Sequence, residues 1–139
     1  MGILLHDYDK EIKGKVQNLF GKDDGFLVVM KHNSPLNGLA KLLLSNLIYA
    51  LDSNRTFILY FDEMGIHKTE ISHSTKGAFT CMPWQNIEDF SFVEKGTKNL
   101  IAFRYDGKTL QFEVPFDGKI FFENKRLFED LRQKNWFRS

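Results

Sequence analysis

At 139 residues the chain has the size of one domain and can bury a core without disulfide or metal staples. Nineteen basic residues against eighteen acidic ones leave a formal charge of +1, so no overall field draws it to nucleic acid or an anionic bilayer. A single cysteine, Cys81, excludes an internal disulfide and a multi-cysteine zinc site, and it makes the cytoplasm the expected location.

Fourteen phenylalanines favour pleated sheet, where large rings pack well. The opening MGILLHDYDK lacks the basic start and long apolar run of a secretory signal, and His6 stands where N-myristoylation asks for Ser or Thr. From Ile3 to Phe20 the apolar residues Leu4, Leu5, Tyr8, Ile12, Val16, Leu19 and Phe20 recur at helical spacing, and Gly21 supplies a stop. This predicts an N-terminal amphipathic helix over 1–21 ahead of one domain over 22–139. Gly25 to Lys31, GFLVVMK, is a continuous apolar run between turn residues and reads as a buried strand.

A second helix is predicted over 35–52, with Ser34 as N-cap and Pro35 at the first helical position. Leu36, Leu39, Ala40, Leu43, Leu47, Ile48 and Leu51 line one side; Leu42 and Leu44 widen the arc. At about 24 Å it falls short of a hydrocarbon core of about 30 Å. Such a helix either packs on the sheet or offers Leu36, Leu39, Leu43, Leu44, Leu47 and Leu51 to a partner helix, a bilayer interface or a copy of itself.

Thr56 to Phe61, the turn Asp62 to Gly65 and Ile66 to Ile71 predict a hairpin whose polar second strand faces solvent. Ser72 to Ala78 reads as a loop. In Trp84 to Glu94 the spacing of Trp84, Ile87, Phe90 and Phe92 changes from three to two, which suggests a bulge entering a strand; Gly96-Thr97 is the next turn. Leu100 to Val114 is the clearest passage, because Asp106-Gly107 between alternating runs specifies a tight hairpin. Its register sets Tyr105 opposite Lys108, Phe103 opposite Leu110 and Ile101 opposite Phe112, with Ala102, Arg104, Thr109, Gln111 and Glu113 on the other face. Pro115 closes the strand because proline cannot donate to a ladder. Phe116 to Lys119 makes a turn. Asn124 is the predicted N-cap of a terminal helix over about 124–136, in which Leu127, Phe128 and Leu131 recur.

The predicted class is α+β, a strongly bent antiparallel sheet or partly open barrel. An N-terminal helix, a helix inserted after the first strand and a C-terminal capping helix accompany it. In this order of elements, residues 25–136 resemble a bacterial member of the pleckstrin-homology-like superfamily. The passages that carry the likeness are FILYFDEMGIHKTEI, PWQNIEDFSF, the hairpin and ENKRLFEDLRQ. The resemblance implies a bent sheet closing toward a barrel, with the C-terminal helix over one open end.

Catalytic chemistry is not evident. The histidines His6, His32, His67 and His73 meet no metal-ligand spacing on helix or strand. His67 and His73 flank one strand near Glu70 and read as exposed strand residues; Cys81 has no basic neighbour or second cysteine to activate it. No Gly-rich phosphate cradle follows a strand, and the pairs Asp62-Glu63 and Glu88-Asp89 read as solvated. No catalytic residue, cofactor, metal, nucleic-acid partner or small-molecule substrate is therefore expected. The expectation is a non-enzymatic binding module for a protein partner or a second copy of itself, acting through a sheet edge or the apolar helix. The alternative is weak association with an anionic membrane, using Leu36 to Leu51 with Lys31, Lys41 and Arg55. Lys125, Arg126, Arg132 and Lys134 form a candidate basic face on the terminal helix, worth roughly 1 kcal/mol for each cation at an anionic surface.

Overall fold

Asp106 and Gly107 both take positive φ, 54° and 74°, which is the two-residue turn that matches the twist of the flanking strands. The register across it is the expected one: Tyr105 opposite Lys108, Phe103 opposite Leu110, Ile101 opposite Phe112. The rings of Phe103 and Phe112 share a face, 6.1 Å apart.

The computed structural model describes residues 2–31, 55–95 and 98–138. Along these run α1 (Gly2–Phe20), β1 (Phe26–Lys31), β2 (Thr56–Asp62), β3 (Gly65–Glu70), β4 (Thr80–Pro83), a 3-10 turn (Trp84–Asn86), β5 (Ile87–Lys95), β6 (Lys98–Tyr105), β7 (Lys108–Pro115), α2 (Asn124–Gln133) and a second 3-10 turn (Asn135–Phe137). The helix expected over 35–52, with its candidate surface Leu36, Leu39, Leu43, Leu44, Leu47 and Leu51, lies outside the described residues. So does the Gly96-Thr97 turn.

The seven strands form one antiparallel sheet in the order β4-β3-β2-β1-β7-β6-β5, and it does not close. With α1 and α2 this is an α+β architecture. The sheet curls back on itself. Phe61 of β2 and Phe90 of β5 have three strands between them, about 19 Å in a flat sheet, yet their rings lie 6.5 Å apart. The inner face carries Leu27, Val29, Phe57, Leu59, Phe61, Ile101, Phe103 and Phe112, all buried.

The other face of the β1–β3 half is covered by α1. Ile12 and Val16 are fully buried there, and Phe20 stacks on Tyr60 at 3.8 Å. This overturns the expectation of a solvent-facing third strand. His67 and Thr69 are buried because α1 lies over them, and Lys68 and Glu70, on the inner face, are half-buried. Gly21 ends α1 as predicted, with φ 77° and its N–H on the Gln17 carbonyl at 2.8 Å. At Gly65 the reason for glycine is close approach, since a Cβ would run into the Met82 carbonyl of β4.

Strand β4 was not foreseen. Four residues ending in proline are too short to show alternation. The bulge in β5 was, and it appears as a register shift between Glu88 and Ser91 with Asp89 at φ 55°.

Strands β1 and β7 pair only at Met30–Glu113 and Lys31–Phe112. On that register Val28 would lie opposite Pro115, which has no N–H to give. The Asn124 side chain takes the vacant rung. Its Oδ1 accepts the Val28 N–H at 3.0 Å, and its Nδ2 donates to the carbonyls of Val28 at 2.8 Å and Pro115 at 3.1 Å. Asn124 is therefore not the N-cap of α2; Glu123 holds that position, without a side-chain cap bond. The helix also stops at Gln133 rather than near Trp136, because Asn135, Trp136 and Phe137 all take positive φ and turn Trp136 into the core.

Asn124→Leu should cost about 3 kcal/mol or more in denaturant unfolding, since it strands three buried backbone groups. Asn124→Asp keeps the acceptor but sets an oxygen against two carbonyls. Its deficit should shrink as pH falls toward about 4, because the buried acid takes up a proton before the unfolded chain does and so regains a donor.

Candidate functional site

Three side-chain clusters and one strand edge carry the polar and exposed groups able to act chemically. The first cluster surrounds Asp62 at the β2–β3 turn. Its Oδ1 accepts the N–H groups of Met64 at 3.0 Å and Gly65 at 3.3 Å, closing the turn, and lies 2.9 Å from His67 Nε2. Cys81 Sγ approaches the same Nε2 at 4.0 Å. An activated thiol needs the acid on one ring nitrogen and the sulfur on the other. Here both compete for Nε2, so no relay runs from thiol to carboxylate. Burial pushes the Cys81 thiol up, and Asp62 adds to the effect, which is opposite to nucleophilic activation.

His67 is 9% exposed, beneath Phe20, whose ring lies 5.0 Å away. The expectation that it is an exposed strand residue fails because α1 was not foreseen to cover it. His73 is exposed, as expected. His67 and Glu70 point to opposite faces of β3, so no site joins them. Asp62 is likewise not the solvated turn carboxylate the sequence suggested, because it anchors the turn and the imidazole.

The second cluster lies at the end of the inner face where β1 finishes and β2 begins. Lys31, Arg55 and Lys68 converge there, with Arg55 and Lys68 over the Phe57 ring at 5.2 and 5.5 Å. Arg55 holds Glu70 in a two-pronged pair, Nη2 to Oε1 at 2.9 Å and Nε to Oε2 at 3.1 Å, and Ser72 Oγ donates to Oε2 at 2.8 Å. Burial pushes the Lys68 ammonium down, and Arg55 and Lys31 push the same way.

The third is the expected basic face of α2. Lys125 is exposed. Arg126 pairs with Glu123, Lys134 with Asp130 at 3.1 Å, and Arg132 approaches Glu94 of β5 at 3.7 Å. Carboxylates thus accompany three of the four cations. Glu123 also takes Lys13 of α1 at 2.9 Å; burial raises its carboxyl, but the Lys13 and Arg126 hydrogen bonds outweigh this and hold it below the ordinary range.

The strand edge is β5. Its nine residues pair with β6 on one side and, among the described residues, with nothing on the other. Alternate N–H and C=O groups of such a strand point outward. Phe92 and Val93 remain 38% and 41% exposed. The Phe92 ring meets Phe128 of α2 at 5.9 Å, so the strand runs beside the helix. The bulge at Asp89 bounds the readable stretch at one end, leaving Ser91 to Glu94 beside α2. Sequence reading named a sheet edge without saying which. Edge status depends on the strand order, and no local pattern encodes it.

The Arg55 hydrogen bond, with help from Ser72 and against burial, holds the Glu70 carboxyl at about 2, below its ordinary 4.5. A depressed carboxyl contributes stability above its unfolded value and loses it as pH falls toward the folded one. Thermal melts should therefore show a component of stability lost between about pH 4.5 and pH 2, and Glu70→Gln should flatten that component and lower stability above pH 5 without changing its slope there.

Comparison with known proteins yields no relative: no protein-family model, no curated protein and no solved structure matches the chain.

Proposed function

We propose that the chain is a non-enzymatic binding module of the pleckstrin-homology-like kind that recognises protein along β5. The supporting features are a curled, unclosed antiparallel sheet and a terminal helix lying against it, which is the arrangement the resemblance implies. The single observation that carries the binding role is the β5 edge beside α2, unpaired among the described residues, with Phe92 and Val93 exposed on it. An extended partner segment added there would gain main-chain hydrogen bonds from the edge and side-chain selectivity from Phe92 and Val93. The partner is another protein or a second copy of this chain. The same reading has it act in the cytoplasm, in keeping with one unpaired cysteine; no helix among the described residues is long and apolar enough to cross a bilayer.

A photocrosslinking residue at Val93, introduced in the native host, should yield adducts that the same residue at Thr109, on the solvent face of β7, does not. An adduct of twice the chain's mass would identify self-association. Equal labelling at both positions, or none at Val93, would end the reading.

The convergence of Lys31, Arg55 and Lys68 supports a second reading, weak association with an anionic membrane through that end of the sheet. On that account the protein sediments with anionic vesicles at low salt, and Lys68→Ala weakens the association about fivefold. Vesicles that leave the protein in the supernatant would eliminate it.

A further inference from the structure

The sheet is open between β4 and β5, and something else fills the gap. The chain leaves α2, and Asn135, Trp136 and Phe137 then take φ of 52°, 59° and 59°. Three successive non-glycine residues in the left-handed region are strained, because each L side chain crowds its own backbone there. The reward is the position of Trp136, which is 1% exposed and ringed by Phe61 of β2, Phe90 and Phe92 of β5 and Phe128 of α2, all within 5.5 Å of its ring. Arg138, just beyond Phe137, lies over Trp84 at 5.6 Å and Phe90 at 5.0 Å, two rings that themselves meet at 5.5 Å. Yet the indole Nε1–H has no hydrogen-bond partner among the described residues, although it is buried. A strained backbone and an orphaned donor together oppose the aromatic packing that holds the segment in.

We propose that Asn135–Phe137 is a releasable plug: Trp136 occupies an aromatic socket in the mouth between β4 and β5, and its release opens that socket next to the β5 edge. Release would relieve the left-handed backbone and hydrate the indole N–H, at the cost of aromatic burial. Strain of this kind persists only where surrounding contacts impose it, and it concentrates at switches and clamps. The freed socket suits a large aromatic side chain carried by an incoming strand, so the plug in place is autoinhibitory. That consequence rests on the proposed binding role of β5, whereas the plug equilibrium rests on the turn's own geometry. Failure of the Val93 crosslink therefore leaves the equilibrium to be judged separately.

The test uses the full chain labelled with 5-fluorotryptophan, whose two tryptophans give separate fluorine resonances, assigned through Trp84→Phe. The expected result is a minor, solvent-exposed Trp136 signal in exchange with the buried one under native conditions, while Trp84 shows a single state. Asn135→Gly, which relieves the left-handed strain, should lower the exposed population about fivefold, and Asn135→Val should raise it about tenfold. Exposure of Trp136 only together with global unfolding, or the same exposure in all three proteins, would overturn the plug. In a second arm, Trp136→Ala should bind N-acetyl-tryptophanamide, with shifts at Phe90 and Phe92 that the wild type lacks. A folded variant that does not bind it would overturn the socket, and should that variant not fold, the Asn135 series decides alone.

Discussion

The two halves of the sheet are joined by a seam that backbone pairing cannot complete. Beyond Met30 and Lys31 the ladder between β1 and β7 needs a donor opposite Val28, and the residue there is Pro115. One buried side-chain amide supplies what the proline lacks and satisfies three backbone groups at once. Because Asn124 is also the first residue of α2, closing the seam fixes where the helix starts and which way it faces. Leu127, Phe128 and Leu131 then fall on the core with no exposure, and the turn that follows carries Trp136 into the mouth of the sheet. An unpaired carbonyl or N–H buried at that point would be costly, so the seam, the helix origin and the plug form one chain of dependence.

The halves differ in how many faces they bury. In the β1–β3 half, α1 covers the outer face and the curled sheet covers the inner one, so β1 and β2 are buried on successive residues. In the β5–β7 half only the inner face is covered among the described residues, and Arg104 and Thr109 are exposed. This asymmetry puts the long edge, unpaired among the described residues, on the half that neither α1 nor α2 backs on its outer face. Polar groups are arranged to match. Asp62 and Glu70 are engaged by a turn and by an arginine, and three of the four α2 cations meet carboxylates.

Much of the local structure was legible in the residues. The tight hairpin followed from Asp106-Gly107 and alternation, since a two-residue turn leaves one register. Helix α1 and its stop followed from apolar spacing and Gly21, and the β5 bulge from a change of spacing around Phe90. The misreadings have a common cause. The strand Ile66 to Ile71 was expected to face water because it is polar, but polarity there serves His67 to Asp62 under a covering helix and Arg55 to Glu70 on the inner face. Asn124 looked like a cap because caps and seam-fillers need the same amide.

What the amino-acid order determined by itself was everything set by neighbours along the chain: turns by φ preference, strands and helices by period, the end of β7 by a missing N–H. What only the tertiary structure decided was which strand lies at an edge, which face α1 covers, and where Asn124 and Trp136 point. Those depend on contacts between residues as far apart as Val28 and Asn124, and such contacts exist only after the sheet has curled. The candidate site belongs to that second class, because an edge is defined by the strand that is not there.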